Sequence, residues 1–162
     1  RPSCRSAAPG LQSLENEATA ASGPPRERPL PVTDSDLFAA AEAVRSRAYA
    51  PYSKFLVGAA ILADDGNVYA GCNIENAAYP IGNCAEASAI AAMIAGGARR
   101  IRRIYVTGPG REPVTPCGGC RQRIREFADQ DVVVISHGVE GEPLSQTVAQ
   151  LLPHSFGPEF LK

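Results

Sequence analysis

The first sustained pattern of apolar and polar positions begins at Thr33, a residue suited to cap a helix, after which Leu37, Phe38, Ala41, Val44 and Ala48 share one helical face until Pro51. Those spacings predict an amphipathic helix laid on a sheet. From Phe55 to Ala63 the residues are small and apolar, Asp64-Asp65-Gly66-Asn67 reads as a turn, and Val68 to Asn73 resumes an extended pattern, so a β-hairpin is expected. A loop of small and turn-forming residues runs from Glu75 to Asn83. Cys84 to Ala95 then carries Ile90 and Ile94 at helical spacing among alanines and stops at Gly96-Gly97. With almost every face small or apolar, that helix should be buried. Ile101 to Thr107 reads as a strand, Cys117 to Ala128 as a helix behind Pro116, and Val132 to Ser136 as a strand, a β-α-β unit with parallel strands. A short helix from about Leu144 to Leu152 precedes the ending Pro153-His154-Ser155-Phe156-Gly157-Pro158. The pattern predicts an α/β layer sandwich around a mixed sheet, without internal repeats.

Composition narrows the picture. Residues 1–30, rich in Arg, Pro, Ser, Ala and Gly and without apolar period, read as a disordered N-terminal tail in which Cys4 has no structural part; residues 31–162 read as the folded domain. A chain of 162 residues, 44% hydrophobic, suits one core. The net charge of -1 gives no general attraction to nucleic acid or anionic lipid, so a small-molecule substrate fits better than a polymer. No apolar stretch approaches the roughly 20 residues that span a bilayer, and the N-terminus lacks a secretory apolar block, which leads us to expect a soluble, cytoplasmic protein. Five cysteines, three of them in two tight motifs, favour metal-bound thiolates in a reducing compartment over a disulfide framework.

Candidate chemistry lies in Cys84-Ala85-Glu86, at the start of one predicted helix, and Pro116-Cys117-Gly118-Gly119-Cys120, at the start of the next. Three thiolates converging there match a catalytic zinc site, which takes three protein ligands and keeps a fourth position open. A structural site wants a fourth Cys or His, and His137 and His154 lie far along the chain, where they read as surface or turn residues. Free N–H groups at helix N-termini stabilise anions by about 0.3–2 kcal/mol each, which favours the thiolate form. Three thiolates around one zinc still leave net negative charge, and Arg121 is the cation expected to offset it. Glu86, two residues past Cys84, projects to a different side and is the candidate proton shuttle. On residue type alone other readings stay open. The C-x-x-C pair also suits redox chemistry, Cys72 suits a small buried position, Phe55 and Phe156 suit a core, and Asn73 and Glu75 suit turn chemistry.

The C-x-E and P-C-x-x-C pair is the signature of zinc nucleobase deaminases. Together with Tyr49 to Ala60, Gly71 to Pro80 and the ending Leu151 to Glu159, it makes residues 33–162 resemble the small homotetrameric zinc-dependent cytidine deaminases. The resemblance implies a three-layer α-β-α sandwich around a mixed five-stranded sheet, one Zn2+ per subunit, and hydrolytic deamination of cytidine and 2'-deoxycytidine with release of ammonia. A related aminopyrimidine nucleoside such as blasticidin S is the alternative substrate; a purely structural zinc protein would leave Glu86 without work. It further implies that Cys84, Cys117 and Cys120 bind the zinc, and that Glu86 protonates N3, assists the attack of water at C4 and carries a proton to the departing amine. Asn73 and Glu75 would hold the ribose 3′-hydroxyl, Phe55 would lie against the pyrimidine, and the Ala85 N–H would meet its O2. Tyr79 and Phe156 would reach a neighbouring subunit's site, which makes a homotetramer the expected partner state, with no nucleic acid or membrane. The chain departs from the family at Ala87, where Arg is common and donates to thiolates, and at Leu56, where Pro is common.

Overall fold

The structure, a computed structural model, describes residues 31–161; the expectations for the tail and Cys4 fall outside them. Five strands, β1 (Gly58–Ala63), β2 (Val68–Cys72), β3 (Ile101–Gly108), β4 (Val133–Gly138) and β5 (Leu144–Thr147), form one sheet in the order β2-β1-β3-β4-β5. Only β3 and β4 run parallel; the other three pairings are antiparallel. Among the described residues no helix is long and apolar enough to cross a membrane.

The period-2 alternation of the strands divides the core into two layers. Ala59, Ile61, Ile104, Val106 and Val134 point to one face, where α2 (Ala85–Ala95) packs through Ala89, Ile90 and Met93, and α3 (Gly118–Phe127) through Ile124. Ala60, Tyr105 and Ile135 point to the other, under Leu37 and Ala41 of α1 (Asp34–Arg45). The result is the expected α-β-α sandwich, with β3-α3-β4 as its β-α-β unit. Gly71 fixes how α2 sits: a Cβ there would lie 2.3 Å from the backbone nitrogen of Ala89, so only glycine lets the helix lie so close to β2.

Three boundaries differ from the pattern. Thr33 caps α1 with a reciprocal bond to Asp36, but the helix ends at Arg45 rather than Ala48. The chain leaves it to pair with the loop beyond β2, Tyr49 N donating to Asn73 O at 3.1 Å and Glu75 N to Tyr49 O at 2.7 Å. The first strand begins at Gly58 rather than Phe55, because the Asn73 side chain stands in for a strand partner there. The segment expected as one helix from Leu144 to Leu152 is instead β5 followed by a single turn, α4 (Val148–Leu151). Antiparallel pairing with β4 extends Leu144–Thr147, and Thr147 caps the turn with Gln150.

Candidate active site and metal centre

Cys84 and Cys117 occupy the N-cap positions of α2 and α3 with extended backbones, and neither side chain caps its own helix. Both sulfurs are thereby free to point away from the helix while the first-turn N–H groups remain available to an anion. Cys120 sits one turn into α3 and is buried. The sulfurs of Cys84 and Cys117 lie 3.9 Å apart, and all three sulfurs lie within 4.8 Å of one another. Tetrahedral zinc with bonds of about 2.3 Å needs sulfurs about 3.8 Å apart, so the three donors fit that ion with little adjustment.

Glu86 is 4% exposed, one step inside α2, and its Oε2 accepts from the Cys120 thiol at 3.3 Å. Burial pushes its carboxyl above the usual range, against smaller opposing pulls from backbone, Cys120 and Arg123. The hydrogen bond from Cys120 brings the Cys84 thiol down to about 6, while Cys120 itself is pushed up by that same contact and by burial.

Arg121, the expected offsetting cation, spends its Nε on Pro116 O at 2.8 Å and its Nη1 on Leu151 O at 3.0 Å. The guanidinium whose charge bears on both Cys84 and Glu86 is Arg123. It folds back over the first turn of α3, its Nη1 3.5 Å from where a Gly119 Cβ would lie. Spacing pointed to the arginine beside Cys120, but a helical side chain reaches the turn N-terminal to its own Cα, and that favours the arginine three residues on.

Two adjoining cavities open at this centre. The inner one, about 230 Å³, is floored by Cys84, Ala85, Glu86 and Cys117 and walled by Phe55, Val57, Val114 and Thr115. The outer one, about 510 Å³, is lined by Tyr52, Ser53, Glu75, Tyr79 and neighbours; Asn73 and Cys84 belong to both. Asn73 bridges the loop before β1, accepting from Val57 N at 2.8 Å and donating to Phe55 O at 2.9 Å. Glu75 accepts from Tyr52 N at 2.8 Å and Ser53 N at 3.3 Å; the Ser53 side chain first, then these backbone bonds, keep its carboxyl below the usual range. Paired Ile74 and Asn83 close the loop that presents Tyr79, whose ring lies 5.8 Å from that of Tyr52. Phe156 lines neither cavity and stands exposed on the surface. Val114 and Thr115, not among the sequence candidates, were marked only by adjacency to the Pro116-Cys117 motif. His137 is half-buried, its ring placed by contacts with Tyr105 and the Gly141 carbonyl and lying 5.0 Å from Phe38 on the α1 side of the sheet.

An α/β sandwich with three sulfurs at the N-termini of two helices, and a buried carboxyl group beside them in a small cavity, defines a protein with a catalytic-type zinc centre. Residues 31–136 match the family model described as the cytidine and deoxycytidylate deaminase zinc-binding region. The chain belongs to the cytidine deaminase family, and its Cys84/Cys117/Cys120 cluster lies within that zinc-binding region. It is 46% identical over 125 residues to a cytidine deaminase of Sporosarcina psychrophila, covering 77% of this chain and 92% of that one. With the cytidine deaminase of Halalkalibacterium halodurans it shares 43% over 120 residues, 73% of this chain and 91% of the other. The crystal structure of cytidine deaminase from Burkholderia pseudomallei superposes with a TM-score of 0.74 at 41% identity, covering 77% of this chain and all of that one (100%).

Proposed function

We propose that the protein hydrolyses the 4-amino group of free cytidine and deoxycytidine to the uridine nucleoside and ammonia, as a cytoplasmic homotetramer with one zinc per subunit. The observation that carries this reading is the buried Glu86 carboxyl on the floor of a cavity of about 230 Å³ beside three sulfurs. Cys84, Cys117 and Cys120 would hold the ion; zinc, when bound, would act as a Lewis acid and lower the pKa of a water to near neutrality. Glu86 takes a proton from the attacking water and delivers it to ring N3 as oxygen adds to C4. It then carries a proton to the exocyclic nitrogen as the C4–N4 bond breaks and ammonia leaves. Phe55 lies along the pyrimidine face, and the Ala85 N–H, in the first turn of α2, meets the O2 oxygen.

Asn73 and Glu75 retain acceptor capacity beyond their bonds to the loop, and the Asn73 amide retains a second N–H, so both can still meet a ribose 3′-hydroxyl. Neither cavity is lined by Lys or Arg, which favours a nucleoside over its phosphate. The exposed Ile74, Tyr79, Ile81 and Phe156 are large apolar surfaces of the kind that subunit contacts cover. Three cysteines serving a metal rather than a disulfide support a reducing compartment.

Absorbance change on cytidine, deoxycytidine, deoxycytidylate, cytosine and a cytosine oligonucleotide, run in parallel, tests the substrate. Turnover of the two nucleosides is expected; turnover of the nucleotide or oligonucleotide but not of the nucleosides would overturn the reading. Glu86→Gln should keep its zinc and fold while losing turnover by roughly 100- to 10,000-fold, the range of a positioned proton shuttle. Wild-type rates in that variant would remove Glu86 from the chemistry.

A further inference from the structure

Helix α3 does more than supply two sulfurs. Further along it, Gln122 Nε2 donates to the Phe156 carbonyl at 3.0 Å, and Arg125 Nε donates to Ser155 Oγ at 3.0 Å. Arg125 Nη2 donates to Glu159 Oε1 at 2.5 Å. Arg125 is only 8% exposed. A guanidinium stays charged at any ordinary pH, so one held this far from water needs fixed acceptors, and here they come from residues 155–159. The segment bends tightly round the cation. A Cβ on Gly157 would lie 2.4 Å from Arg125 Nη2 and 2.4 Å from Glu159 Oε2. Within this bend Phe156 stands 57% exposed, its ring stacked on Phe160 at 5.3 Å.

From this geometry we infer that Arg125 is a positioning residue for Phe156. With Ser155 and Glu159 it clamps the bend, and with Gln122 it sets the direction in which the aromatic ring leaves the surface. The inference rests on the reading that Phe156 completes a neighbouring subunit's site. Because the clamp and the sulfurs of Cys117 and Cys120 share one helix, the residue offered to a neighbour is referenced to the same rigid element that builds the chain's own site. An exposed ring held this way loses little freedom when it docks, so the clamp acts on substrate affinity rather than on the chemical step.

The test uses the full-length, zinc-loaded protein with Glu159→Gln, which removes the carboxylate charge of the clamp, Gly157→Ala, whose methyl crowds both Arg125 and Glu159, and Phe156→Ala. Both clamp variants should raise KM for cytidine about three- to tenfold with kcat within about twofold, the signature of lost binding rather than lost chemistry. Zinc content should stay unchanged, and amide exchange should accelerate about tenfold or more at residues 153–161 but not in the sheet. A residue serving stability alone would lower the melting temperature and leave KM unmoved. If Phe156→Ala raises KM while both clamp variants keep wild-type KM and exchange, the clamp has no positioning role and the neighbour reading stands. If Phe156→Ala keeps wild-type KM, the neighbour reading fails, and the inference with it.

Discussion

Glu86 and the arginines around it show how far a single residue's surroundings decide its work. A glutamate in the first turn of an exposed helix would be an ordinary surface acid; at 4% exposure beside Cys120, burial raises its carboxyl above the usual range. The spacing of Cys84, Glu86, Cys117 and Cys120 was readable because metal and proton chemistry restrict residue types so sharply. The offsetting cation was not, since any of several arginines on α3 satisfies the spacing and only the direction of the side chain selects Arg123. We therefore expect Arg123→Met to weaken zinc retention about three- to tenfold in a chelator competition at low salt, with the difference narrowing as salt rises, because an exposed charge is screened. Arg121→Met should leave retention unchanged and instead lower stability by about 1 kcal/mol, since its groups serve two backbone carbonyls. Equal retention in the two variants would contradict this division.

Helices and strands impose a second kind of constraint, in which placement depends on what lies underneath. The alanine-rich α2 was plain from its composition, though it buries one face and leaves Ala91 and Ala95 exposed, and β3-α3-β4 was plain from three strongly apolar or periodic segments. Leu144–Thr147 was hidden, because a short edge strand with two exposed residues carries no alternation, and only the waiting edge of β4 makes it extended. The early end of α1 has a similar cause, a backbone pairing of Tyr49 with a loop that is distant in sequence. Gly71 belongs to this scale as well. Gly71→Ala should cost roughly 1–3 kcal/mol in urea unfolding, the usual cost of overpacking, because its methyl meets helix backbone rather than a yielding side chain. Unchanged stability would mean that α2 does not need its close approach to β2.

Over the whole molecule, the layer opposite the site carries a polar network that ties α1 to the sheet. Thr107, fully buried in β3, donates to Glu42 at 2.7 Å, and Arg45 closes on the same carboxylate at 2.8 Å. Burial pushes the Glu42 carboxyl up, but Arg45 and Thr107 together outweigh it and leave it below its ordinary 4.5. A depressed folded-state value means stability that is present above pH 4.5 and is lost as pH falls through the lower folded value. Glu42→Gln should accordingly be less stable than the parent at neutral pH, the gap shrinking below pH 4.5; a gap constant with pH would rule out the ionised form as the source. The sequence by itself determined the class of fold, the three sulfurs and the acid, because hydrophobic period and metal chemistry each leave few alternatives. Tertiary structure alone decided which arginine's charge bears on Cys84 and Glu86, how Asn73 and Glu75 brace the loop of Phe55, and how Arg125 folds the ending around itself. Those choices depend on side-chain direction and on contacts between segments tens of residues apart, which no local pattern encodes.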